Sequence, residues 1–110
     1  MQTFLVTLET PDGPHSIECR DGEFVWNAAA RAGIQLPAIC HQGRCLTCAC
    51  QILEGELDQS ASASYFPEDL EAGYALICTG RPRSNLVLRT HQQWAMRAYR
   101  KTRRLPAPYS

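Results

Sequence analysis

The order of apolar and polar positions divides the chain into short segments. Residues 2–9 (Gln-Thr-Phe-Leu-Val-Thr-Leu-Glu) are rich in apolar and β-branched side chains, which predicts a strand. Thr10-Pro11-Asp12-Gly13-Pro14 is a strong turn signal, so residues 15–19 predict the return strand of a hairpin. Asp21-Gly22 makes a second turn. The period then changes. Val25, Ala28, Ala29 and Ala32 recur at i, i+3, i+4 and i+7, which predicts a helix from Phe24 to Ala32. Gly33 is placed to stop it. Leu36-Pro37 leads into a cysteine-rich loop. Ala49 to Leu53 predicts a strand closed by Glu54-Gly55, and residues 60–64 form a small-residue loop. Pro67 to Glu71 has the leading proline and early acids of a short helix, ended by Ala72-Gly73. Tyr74 to Cys78 and Asn85 to Thr90 predict the last two strands. Two strands, a helix, a loop, a strand, a short helix and two strands suit an α+β chain of β-grasp layout, with a mixed sheet wrapped over one main helix.

The end of the chain reads differently. Trp94, Ala95, Ala98 and Tyr99 make an apolar stripe at helical spacing, while Arg97, Lys101 and Arg104 recur on another face with Arg100 and Arg103 beside them. This predicts an extra basic C-terminal helix, stopped before Pro106 and Pro108. Two readings fit it. One is a docking element for an acidic partner or a membrane surface. The other is a helix packed on its own domain through Trp94. The expected organisation is therefore a domain over residues 1–91 and a basic extension over 92–110.

Composition sharpens this picture. The 110 residues suffice for one domain, and 45% hydrophobic with 20% charged residues is ordinary for a globular chain. The formal net charge of zero hides a split, because all eleven acidic residues lie between Glu9 and Glu71, whereas five of eleven basic residues follow position 90. An acidic body makes a poor nucleic-acid binder, and no nucleic-acid partner is expected. No apolar run approaches a membrane span, and the start shows no basic-then-apolar secretory pattern.

Six cysteines stand at positions 19, 40, 45, 48, 50 and 78. Four of them crowd into residues 40–50, which points to metal ligation rather than a disulfide framework. Cys40-x4-Cys45-x2-Cys48, followed by the distant Cys78, is the plant-type [2Fe–2S] spacing. A tight loop lets three sulfurs converge, and a remote segment closes the fourth corner. Gly43 sits inside that loop, where backbone passes close to the metal and a positive φ would suit. Backbone N–H groups of the loop are placed to donate to the sulfurs. Other readings stand beside this one: an all-thiolate zinc site that props the fold, a thiol redox pair at Cys45 and Cys48, and a ligand set using Cys50 in place of Cys48. Cys19 and Cys50 themselves read as small buried hydrophobes. His41 reads as a solvated loop residue, and Arg44 as a cation able to raise the potential of a nearby cluster.

Over residues 3–92 the chain resembles plant and cyanobacterial [2Fe–2S] ferredoxins. The likeness rests on Ile34-Gln35-Leu36-Pro37, the Cys40/Cys45/Cys48 loop, Glu54-Gly55, Leu57-Asp58-Gln59-Ser60, Glu71-Ala72-Gly73-Tyr74 and Thr90-His91. The resemblance implies a β-grasp fold and one [2Fe–2S] cluster ligated by Cys40, Cys45, Cys48 and Cys78. It implies one-electron transfer between redox partner proteins, such as a reductase or photosynthetic donor and an oxidoreductase acceptor, with no bond chemistry of the chain's own. It also implies a monomer in a cyanobacterial cytoplasm or plastid stroma, with membrane contact open to the tail. The alternative function is a structural or redox-sensing module with a four-cysteine metal site and a partner-binding tail. The departures fall on partner-facing places. His41-Gln42-Gly43-Arg44 and Leu46-Thr47 replace the family's small loop residues. Ser64 stands at a surface-aromatic position beside Tyr65. Gln93 and Trp94 replace a docking carboxylate pair. On this reading the tail is dispensable for the cluster, and a chain ended after Thr90 should keep its spectrum.

Overall fold

The computed structural model describes residues 2–39, 42 and 45–108. Strands β1 (Thr3–Thr10) and β2 (Gly13–Arg20) form the expected antiparallel hairpin, with Val6 opposite Ile17 and Leu8 opposite His15. Helix α1 covers Val25–Arg31 and is followed by β3 (Ala49–Glu54). After β4 (Leu57–Asp58) come α2 (Pro67–Glu71), β5 (Tyr74–Leu76), β6 (Arg81–Pro82), β7 (Leu86–Arg89) and α3 (Gln93–Thr102). The main sheet runs β2-β1-β7-β3-β5, and β4 pairs with β6 in a small second sheet. β1 and β7 are parallel, whereas the other neighbours are antiparallel. This is the mixed sheet over one helix that the element order predicted.

Alternation along β1 explains the core. Phe4, Val6 and Leu8 point inward, and Val6 and Leu8 are fully buried with Leu86 and Leu88 of the neighbouring β7. Val25, Ala28 and Ala29 of α1 close over them. Small side chains on that helix face let it approach the sheet closely. Its first turn is also tied to the segment carrying Cys78, for Val25 N–H donates to the Gly80 carbonyl at 2.9 Å and Trp26 N–H to that of Ile77 at 3.0 Å. The Trp26 indole N–H donates to the Leu36 carbonyl at 2.9 Å, which holds the chain entering the cysteine loop. Gly55, at φ +97°, turns β3 toward β4 where any Cβ would collide with the Asn85 carbonyl.

The C-terminal helix packs on the body, but not through Trp94, as the second of its two readings has it. Trp94 is 65% exposed, Ala95 and Ala98 also face solvent, and Tyr99 is half-buried, whereas Met96, Arg97 and Arg100 are buried. The stripe of Trp94, Ala95, Ala98 and Tyr99 is therefore not the packing face. The physical reason is that both arginines find polar partners on the body. Arg100, fully buried, donates through Nε to Asp69 Oδ1 at 3.2 Å and through a terminal nitrogen to Asp69 Oδ2 at 2.7 Å. It also donates to the carbonyls of Ser64 and Pro106, and its guanidinium lies over the Phe66 ring. Asp69 in turn accepts the Phe66 N–H at 2.9 Å, capping the start of α2. One ion pair thus joins α3, α2 and the small-residue loop.

Candidate metal centre

The residues that bracket the cysteines are held from several directions. Gln59 clasps Leu76 through both amide atoms, accepting its N–H at 2.7 Å and donating to its carbonyl at 3.1 Å. This extends β5 toward Cys78 as a neighbouring strand would. Thr79 and Ser62 share a hydroxyl contact of 2.7 Å, which links the small-residue loop to the residue after Cys78. Ala63 N–H donates to the Gln42 carbonyl at 2.7 Å, linking the same loop to the cysteine loop. Leu46 has φ +67° and a fully buried side chain. For a leucine the left-handed conformation costs roughly 1–2 kcal/mol. Burying the whole side chain offsets that cost by about the same amount.

Within this frame Cys45, Cys48 and Cys78 are all buried. The Cys48 thiol, just ahead of β3, meets the Cys78 sulfur, just past β5, at 2.9 Å. No disulfide joins the two. The neighbouring Cys78 thiol, and after it burial, push the Cys48 thiol far above the ordinary thiol range. On binding a metal such a pair would release its protons to solvent, the metal's positive charge then stabilising the two thiolates. Cys45 Sγ accepts the Thr47 N–H at 3.5 Å, one of the backbone donors to sulfur that the loop was expected to supply. Among the described residues no three His, Cys, Asp or Glu side chains surround one point. The Cys48 and Cys78 sulfurs could together hold one metal ion, and buried Cys45 stands three residues before Cys48 in the chain. Cys40, His41, Gly43 and Arg44 lie outside the described residues, and so do the expectations attached to them.

Cys19 and Cys50 sit in the hydrophobic core, in line with their expected packing role. Burial above all pushes the Cys19 thiol up to about 12, and burial also raises Cys50. The tail supplies what the cysteine spacing could not show. Arg97 of α3 donates to the Cys45 carbonyl and to the Thr47 hydroxyl, each at 3.0 Å.

Residues 9–83 match the family described as 2Fe-2S iron-sulfur cluster binding domain. The chain belongs to that family. It is 38% identical over 95 residues to the heterocyst ferredoxin of Microchaete diplosiphon, covering 84% of this chain and 96% of that one. It is 37% identical to Ferredoxin-2 of a Synechococcus strain, over 84% of this chain and 89% of the relative. The solved structure of pectocin M2 superposes with a TM-score of 0.75 at 32% identity, covering 83% of this chain and 33% of that one. The Amycolatopsis cytochrome P450 reductase GcoB gives 0.70 at 32% identity, over 78% of this chain and 25% of the other. The chain thus spans a quarter to a third of the length of those two solved proteins. This ferredoxin carries one [2Fe–2S] cluster and serves as an electron carrier rather than an enzyme, working with redox partner proteins. No helix among the described residues is long and apolar enough to cross a membrane.

Proposed function

We propose that Cys40, Cys45, Cys48 and Cys78 are the four ligands of the cluster, with Cys48 and Cys78 sharing one iron and Cys40 and Cys45 the other. The 2.9 Å approach of the Cys48 and Cys78 sulfurs supports that pair, and the Cys40-x4-Cys45-x2-Cys48 spacing supports the other two. When bound, the cluster supplies a one-electron couple, expected at roughly −400 mV for a plant-type centre. The chain's part is to hold the sulfurs, exclude water around them, donate N–H groups to them and present a docking face. Each Cys→Ser change at the four positions is expected to lower iron and acid-labile sulfide sharply. Full cluster content in Cys78→Ser would overturn the assignment, while Cys19→Ser is expected to load normally.

On the same reading residues 1–91 are the cluster domain and 92–110 a basic extension that serves partner choice. Lys101, Arg103 and Arg104 are exposed near the end of α3, and Trp94 is exposed near its start. No acidic residue follows Glu71. The fitting partner is a redox protein with an acidic face, met by a monomer in a cyanobacterial cytoplasm or plastid stroma. Reversing the three charges to Glu is expected to slow electron transfer to such a partner at low salt, with the difference shrinking as salt screens it. Rates that stay equal in low salt would refute this docking face.

A further inference from the structure

Arg97 is 4% exposed, yet among the described residues no carboxylate pairs with it. Arg100, one turn on, shows the usual solution for a buried cation, a bidentate carboxylate. Arg97 instead meets the Pro108 carbonyl through Nε, and the Cys45 carbonyl and Thr47 hydroxyl through a terminal nitrogen, each at 3.0 Å. Its guanidinium also stacks at 4.8 Å on the Trp94 ring. These partners are dipoles and a π-face. Leaving a buried charge without an opposite charge is costly, so a buried arginine points to an anion close by. Two of its contacts lie in the 45–48 segment, where the proposed ligands place thiolates and where reduction adds a further negative charge.

From this the geometry points to Arg97 as a positioning residue of the metal centre, acting in two ways. It fixes the backbone of the Cys45–Cys48 segment by gripping the Cys45 carbonyl and the Thr47 side chain. It also supplies a permanent buried countercharge that favours the reduced state and so raises the potential. The inference rests on the proposed ligand set. It gives the C-terminal helix a role at the cluster itself, apart from any role in docking.

The test compares Arg97→Lys, which keeps the charge, with Arg97→Gln, which keeps an amide donor for the Cys45 carbonyl but loses the charge. Iron, acid-labile sulfide, the EPR spectrum and the midpoint potential are measured for each full-length protein purified anaerobically. Arg97→Gln is expected to load and to show about a tenfold lower ratio of reduced to oxidised cluster at a fixed applied potential, the scale of one nearby charge in a partly screened interior. That is about 59 mV for one electron. Arg97→Lys is expected to stay close to wild type. Loading of Lys but not Gln would also support the countercharge. A loaded Gln variant with the wild-type potential would overturn the countercharge, whereas failure of both variants to load would support the grip on the Cys45–Cys48 segment, whose contacts lysine cannot reproduce. A wild-type protein without iron would instead sink the ligand assignment, so the two failures are distinguishable.

Discussion

Asp69→Ala tests how firmly the C-terminal helix belongs to the fold. Asp69 and Arg100 are both fully buried and joined by two hydrogen bonds. Removing the carboxylate leaves Arg100 with the Ser64 and Pro106 carbonyls and the Phe66 ring and, among the described residues, no opposite charge. It also strips the cap from the Phe66 N–H. Breaking one side of a buried pair costs about 3–5 kcal/mol. At about 4–8 °C per kcal/mol for a domain of this size, the melting temperature should fall by roughly 12 °C or more. The exposed Arg31–Glu23 pair provides the contrast, since a surface bridge is worth about 1 kcal/mol at most. The assay is thermal loss of the visible circular dichroism of the loaded protein, anaerobically and at one scan rate, because cluster loss makes unfolding irreversible. Asp69→Ala/Arg100→Met should recover much of the loss, since an apolar replacement of a buried pair is often close to neutral. A single mutant melting within about 3 °C of wild type would refute the claim that this pair holds α3 to the body.

A chain ended after Thr90 is predicted to lose stability and cluster retention, contrary to the sequence-based expectation. Truncation would remove Met96 from the core, orphan the buried Asp69 and free the Cys45 carbonyl from Arg97; normal melting of the truncated protein would refute this. Cys19 is predicted to resist iodoacetamide at pH 8 in the folded protein, because burial lifts its thiol to about 12. Rapid alkylation without unfolding would contradict that. Since the folded thiol holds its proton more tightly than the unfolded one, its contribution to stability is complete below the ordinary thiol value of 9.0 and is lost as pH rises toward about 12. Cys19→Ala should flatten the decline in stability over that alkaline window, and an unchanged slope would count against the assignment. Gly55→Ala is predicted to destabilise by more than the roughly 1 kcal/mol typical of an ordinary substitution, because its Cβ meets the Asn85 carbonyl at a left-handed φ; an unchanged melting temperature would contradict this.

Much of the architecture was legible because strong local patterns coincide with burial. The hairpin of β1 and β2, helix α1, the short helix α2 and strands β3, β5 and β7 all followed from alternation, helical spacing and turn residues. Strands β4 and β6 are two residues each and too short to show a period. The face of α3 was misread for a different reason. Periodicity ranks Trp94 as the residue to bury and Arg97 and Arg100 as residues to solvate. The partners that reverse this order, Cys45, Thr47, Ser64 and Asp69, lie far away in sequence. Asp69 read only as an early acid of α2, and that role is real, but its second partner belongs to tertiary structure. The cysteine pattern was legible because metal geometry imposes its own spacing, whereas the arginine beside it left no local signature.

The most direct measurement is iron and acid-labile sulfide per chain on anaerobically purified protein, with an EPR spectrum after reduction. The account predicts two of each, and a rhombic signal that appears on one-electron reduction. Protein free of iron and sulfide, or holding a single zinc on its thiols, would contradict it.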